Sequence, residues 1–316
     1  MTGSFSKIDY RLRPAKHAER GMLCELFRRL KFCKPNDYQY IGFGSVAFVD
    51  FRMVHRALGL KRMFSIEDAR TLKIKERFKQ NKPFRCIKMV FGNSAKALPQ
   101  IDFKRRSLVW LDYDDQFCGD MVSDLRTVAS DLASGSFIGL TFSNQLPFEE
   151  PEVSEKIQQL KDQFPDYVEE DAKIADFSGR KIAEFARTVI TEKLLDVLGK
   201  ADASKAAPER RTLKQVCYIR YRDNASMTTL GWMVVAEKEL ALFDECDFES
   251  LEFTSESEVP FTIKVPKITP HEVRALEKFI PNKPAANHLK WIPTREKDAF
   301  FEAHRYLPNF GVIEPT

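Results

Sequence analysis

The chain has 316 residues, a formal net charge of +4 and 43% hydrophobic residues, enough for a full core in one large α/β domain or in one domain with a smaller appendage. No apolar run approaches the ~20 residues of a membrane-spanning helix, and the N-terminus "MTGSFSKIDYRLRP" lacks the apolar stretch of a signal peptide. The six cysteines are scattered, with no C-x-x-C pair and no histidine at zinc-site spacing, which excludes a disulfide scaffold or zinc module and leads us to expect a reducing cytoplasm.

The charge is uneven. Residues 61–106 hold fourteen Lys/Arg against four Asp/Glu, and residues 1–36 hold nine against three. A basic N-terminal half of this kind favours an anionic partner, nucleic acid or phosphate; solvated helix faces are the bland alternative.

In chain order, "HAERGMLCELFRRL" carries Met22, Leu23, Leu26, Phe27 and Leu30 at helical spacing, within a helical prelude over residues 10–33. After Pro35-Asn36-Asp37, "YQYIGFGS" reads as a short strand ending in a glycine turn. "VAFVDFRMVHRALGL" then places Val46, Val49, Met53, Val54 and Ala57 on one helical face, with Gly59 as its cap. "KRMFSIED" is a second strand, "ARTLKIKERFKQN" a helix, "FRCIKMVFGNS" a third strand and "SLVWLDYDD" a fourth. The amphipathic "GDMVSDLRTVASDLASG" precedes a fifth strand, "SFIGLTFSNQ". Five strands separated by helical crossovers predict a parallel sheet covered on both faces.

Residues 151–210 read as a helical insert. "KQVCYIRYRDN" and "SMTTLGWMVVAE" follow as two β-rich runs joined by turn chemistry at Asp223-Asn224-Ala225, a terminal antiparallel hairpin. In the tail, two short strands are expected near 248–253 and 261–265. A helix starts at Thr269-Pro270 with Glu272 completing a capping box, and a last helix runs through "REKDAFFEAHRY". The expected fold is thus α/β and doubly wound, with a mostly parallel seven-stranded sheet, a terminal antiparallel hairpin and a small C-terminal α+β extension. The expected units are a basic helical extension over 1–37, a Rossmann-like domain over 38–240 and an accessory segment over 241–316.

Such a sheet binds ligands at the carboxyl ends of its strands, beside the first strand. Gly42 and Gly44 there let backbone approach a ligand, and Glu67, 25 residues after Gly42 at the end of the second strand, is placed to accept ribose hydroxyls. Five parallel strands closed by a reversed hairpin resemble class I S-adenosylmethionine-dependent methyltransferases over roughly residues 38–240. The "YRLRPAKHAERGML", "YIGFGS…FVDF" and "YLPNF" segments are similar to a group of bacterial proteins labelled O-methyltransferases.

The resemblance implies S-adenosyl-L-methionine as cofactor. Gly42, Gly44 and Ser45 would lie beside its methionine part, Glu67 at the ribose, Asn93 near the adenine, and Asp112 with Tyr113 at the reacting methyl. The acid that usually precedes the first glycine is missing; Tyr40-Ile41 stand there, and Asp50 is a substitute. Asp112 or Asp114 would serve as general base. With Asp115 they could instead hold Mg2+, although a site free of metal is the primary expectation. Arg13, Lys16 and Arg20 crowd a helix start whose dipole opposes them, so a bound anion, the cofactor carboxylate or a substrate phosphate, is expected at Arg13 and Lys16. The predicted reaction is methyl transfer to a hydroxyl on a small molecule or RNA. The rivals are a catalytically silent cofactor- or nucleic-acid-binding module of the same fold, and an NAD-dependent oxidoreductase.

Overall fold

The apolar runs form the strands expected of them. In the computed structural model, which describes residues 13–254, 257–285 and 287–308, β1 is Gln39–Gly42, β2 Arg62–Glu67, β3 Ile87–Phe91, β4 Ser107–Gln116 and β5 Ser136–Ser143. These pair in parallel, and β6 (Arg211–Arg222) and β7 (Ser226–Ala236) form the antiparallel hairpin. The order is β3-β2-β1-β4-β5-β7-β6-β8, with β7 antiparallel to β5. The sheet has eight strands rather than seven. The extra one, β8 (Phe261–Thr262), is two residues pairing in parallel with β6. The order reverses between β1 and β4, which puts a crevice at the carboxyl ends of these two strands.

Each face of the sheet is buried. One core joins α1 (Pro14–Arg29), α2 (Val49–Leu58) and Phe78 of α3 (Leu72–Asn81) to Tyr40, Met63, Leu108 and Trp110. It extends to Phe253 and Leu307, so the N-terminal helix and the tail share it. The opposite core packs Ile41, Val109, Leu111 and Ile138 against α5 (Gly119–Asp131) and α7 (Lys181–Ala201). Two further helices lie on that side in sequence: α4 (Ser94–Ala97) follows β3, and α6 (Glu152–Gln163) begins the insert. The tail carries α8 (Leu240–Asp244), α9 (Pro270–Glu277) and α10 (Thr294–Ala303), and a small satellite core forms around Val273, Leu276, Ile292 and Phe300.

Two local expectations change. The helix after the glycine turn begins at Val49, because Ser45 and Phe48 take left-handed backbone conformations (φ +49° and +51°), so Val46 lies off the helix. Its far end is as expected: Gly59, at φ +66°, caps α2 by donating its N–H to the His55 carbonyl. Phe248–Ser250 is a 3-10 turn rather than a strand; Phe248, Leu251 and Phe253 are buried at turn-like spacing, without the alternation a ladder needs. The capping box of Thr269 and Glu272 forms as expected. The start of the helical prelude (10–12) and the end of "YLPNF" lie outside the described residues. Among the described residues no helix is long and apolar enough to cross a membrane.

Candidate functional site

The glycine turn and Glu67 meet at the carboxyl ends of β1 and β2. Gly42 pairs with Ser65 on one side and Trp110 on the other. Glu67 is 8% exposed, and its Oε1 accepts the Gly44 N–H and the Ser65 hydroxyl, both at 2.7 Å. Gly44 must lack a side chain for a reason internal to the protein: a Cβ there would lie 2.5 Å from Ser65 Oγ and 2.8 Å from the Phe48 ring. Burial pushes the Glu67 carboxyl up to about 7; the Ser65 hydroxyl and the Gly44 and Ser45 N–H groups offset part of that. Ser45 sits in the turn itself, half-buried. Asn93 is exposed, and its Oδ1 accepts the Lys96 N–H at 3.2 Å as the cap of α4. Its carbonyl is thus engaged in the fold, at the β3 edge of the same strand ends.

β4 bulges just after Asp112, where its register with β5 slips between Asp112 and Gln116. As neighbours on a strand, Asp112 and Tyr113 point to opposite faces of the sheet and lie against different helices. Asp112 Oδ1 takes the Lys16 Nζ at 2.5 Å. The Tyr113 phenol instead donates to Asp124 of α5, and its ring packs edge-on against Phe43. Burial and the Asp124 charge push that phenol above its ordinary range, so it stays protonated. The resemblance implied both side chains at the reacting methyl; the structure brings Asp112 to the α1 side and Tyr113 to the α5 side.

Lys16 is 0% exposed. Its ammonium contacts Glu19 Oε2 at 2.7 Å as well as Asp112, and lies 4.5 Å from the centre of the Trp110 ring. Glu19 is also fully buried and reaches Thr229, which exchanges a hydrogen bond with Thr141. Burial raises the Glu19 carboxyl despite Lys16. Arg20 pairs with Asp50, the acid considered as a stand-in before the first glycine. Arg13 lies 3.8 Å from Asp114 and 3.7 Å from Asp223. The crowded cations of α1 are therefore met by carboxylates from β4, α2 and the β6–β7 turn. Asp115 is exposed.

Three contributors escaped sequence reasoning. Asp223 was read only as turn chemistry, yet its carboxylate accepts the N–H groups of Ala15 and Lys16 at 3.0 Å each, capping α1 from 207 to 208 residues away. Glu19 gives no signal either, since an i,i+3 Lys-Glu pair usually marks a solvated helix face. Asp124 lies on the amphipathic α5 and gave no signal; a buried acid is visible only once its phenol partner is known.

Among the described residues no group of three or more His, Cys, Asp or Glu is arranged to hold a metal. A cleft of about 540 Å³ lies at the opposite end of the sheet, but its Arg106, Arg211 and Lys238 are each paired with an acid.

A family model described as "Putative O-methyltransferase" matches residues 8–315. No curated protein matches the chain. Solved structures similar to it include cofactor-bound Rv0187 from MTB, at 14% identity over 72% of this chain and 81% of that one, with a TM-score of 0.36. Another is the O-methyltransferase TomG from Streptomyces achromogenes in complex with SAM, at 14% over 73% and 92%, with a TM-score of 0.38. A third is spermidine synthase from Thermotoga maritima, at 10% over 78% and 68%, with a TM-score of 0.39. Likenesses this distant carry no information about this chain's chemistry.

Proposed function

Because the chain belongs to the family described as "Putative O-methyltransferase", whose model spans residues 8–315, we propose that it transfers a methyl group from S-adenosyl-L-methionine to a hydroxyl acceptor, a small molecule or RNA. The observation that carries the cofactor assignment is the Glu67 carboxylate at the glycine turn. The Gly44 and Ser65 bonds on Oε1, with the Ser45 N–H beside them, fix the group at the turn where a sugar hydroxyl would meet it. The residues present suit the cofactor. Glu67 at the turn of Gly42, Gly44 and Ser45 supplies the acceptor for ribose, and Asp112 beyond it supplies an acceptor for a ligand ammonium.

When bound, the cofactor supplies an electrophilic methyl on a sulfonium, and its transfer in line depends mainly on alignment. The chain's own contribution is to hold carboxylates in place. Asp112 is fixed by Lys16 two residues beyond the Gly42–Trp110 pairing. From there it can orient a ligand ammonium or take the proton that the acceptor hydroxyl loses as its oxygen bonds the methyl. Asp114, half-buried beside Arg13, is the second group placed for that proton. We assign Tyr113 to shaping the strand end with Phe43 rather than to proton transfer. The anion expected at Arg13 and Lys16 would have to compete with carboxylates already bound there.

Equilibrium dialysis against labelled S-adenosylmethionine and labelled NAD, in parallel, tests the assignment. Retention of the first and not the second is expected. Retention of NAD alone would place the chain among the oxidoreductases.

A further inference from the structure

The molecule has a second basic region, and its own acids do not neutralise it. α3 follows the carboxyl end of β2, where Glu67 stands, and carries Lys73, Lys75, Arg77 and Lys79. Beyond it, β3 is the edge strand of the sheet, with Lys88 exposed; Lys96 is exposed on α4. Among the described residues none of these six cations has a carboxylate within ion-pair distance. On α3, Lys73 and Arg77, and Lys75 and Lys79, repeat like charge at i and i+4, which opposes helix formation. Two of the cations lie against aromatic rings: Lys75 at 5.5 Å from the Phe91 ring centre and Lys88 at 5.9 Å from that of Phe64. The charges thus wrap the edge strand from both sides of the sheet and run back from the end that carries the glycine turn.

Protection of an edge strand from pairing explains one lysine on β3. It does not explain a helix of repeated like charge beside that strand. A lipid surface also fits poorly. The apolar residues of α3, Ile74 and Phe78, pack into the core, so the helix has no apolar stripe to insert; Leu72 alone stands exposed. We propose that this edge is a docking surface for RNA, whose phosphates the six cations would neutralise and whose ribose hydroxyls make it the acceptor class at the adjoining site. The role as acceptor rests on the methyltransferase reading; the docking itself does not.

Fluorescence anisotropy of a labelled single-stranded RNA of about 20 nucleotides, titrated with the full chain at several salt concentrations, tests it. The expected result is binding that weakens steeply with salt. The triple variant Lys73→Gln, Arg77→Gln, Lys79→Gln should weaken binding by on the order of tenfold and reduce the magnitude of the log–log salt slope by roughly 2. A variant with the same charge change elsewhere, Arg274→Gln, Lys278→Gln, Lys290→Gln, should bind as the parent does. S-adenosylhomocysteine binding and the thermal melt should be unchanged in both, which separates failure of the surface from failure of the cofactor site and from misfolding. Absence of RNA binding by the parent, or equal weakening by the two variants, overturns the proposal. So does loss by the α3 variant of sedimentation with anionic phospholipid vesicles while its RNA binding stays intact.

Discussion

Helices α1 and α3 are both rich in cations, and the structure treats them in opposite ways. Those of α1 are drawn inward and matched: Lys16 by Glu19 and Asp112, Arg20 by Asp50, Arg13 by Asp114 and Asp223. Those of α3 stand in solvent or half-buried at the surface and form no ion pair among the described residues; Glu76, the one acid of the helix, accepts the Gln80 side-chain amide instead. A run of basic residues therefore has two physical meanings. Where distant acids converge on it, it is internal architecture and holds a carboxylate at the site. Where none converge, its charge remains available to a partner. Substitutions in the two helices should fall into two classes, stability for α1 and association for α3.

The largest effect is expected at Lys16. Lys16→Met keeps the stem over Trp110 but leaves Glu19 and Asp112 without their cation, and should cost about 3–5 kcal/mol in urea unfolding. A cost under about 1 kcal/mol would show that the buried cluster is not held by charge. Glu67 is a buried acid held by a hydroxyl and two backbone N–H groups, with no cation at hand among the described residues. Its carboxyl, raised to about 7, binds a proton more tightly in the folded chain than in the unfolded one. The corresponding stability is fully present below the unfolded carboxyl range and is lost as pH rises through about 7. It amounts to about 3 kcal/mol. Parallel unfolding of the parent and Glu67→Gln at pH 5 and pH 8 should show the variant gaining relative stability at the higher pH; a constant difference would contradict the raised carboxyl. Asp223→Ala removes the cap of α1 and should cost about 1–2 kcal/mol, read in the same assay. Smallest of all, the α3 triple variant should shift stability by no more than about 0.5 kcal/mol, and upward if at all, because like charges are relieved. A loss of 2 kcal/mol there would erase the contrast between the helices.

Much of the frame was legible in the sequence because its signals are local. Apolar runs gave the five parallel strands, Asp223-Asn224-Ala225 gave the hairpin, and Thr269-Pro270 with Glu272 gave the start of α9. The start of α2 was misplaced because left-handed residues at Ser45 and Phe48 have no signature in non-glycine side chains. The site was less legible, for a different reason. Lys16 lies 96 residues from Asp112, and Asp223 lies more than 200 from the helix it caps. A single sequence shows the charges and not which of them meet. Strand alternation separates Asp112 from Tyr113, but which helix each of them meets does not follow from the strand's own apolar pattern.

The central claim is that the Glu67 carboxylate at the glycine turn holds the cofactor's sugar. Calorimetric titration of S-adenosylhomocysteine into the parent chain and into Glu67→Ala at pH 8, where the carboxyl is ionised, tests it most directly. The account predicts micromolar-class binding by the parent and a loss of about tenfold or more in the variant. Equal affinity in the two proteins would contradict it.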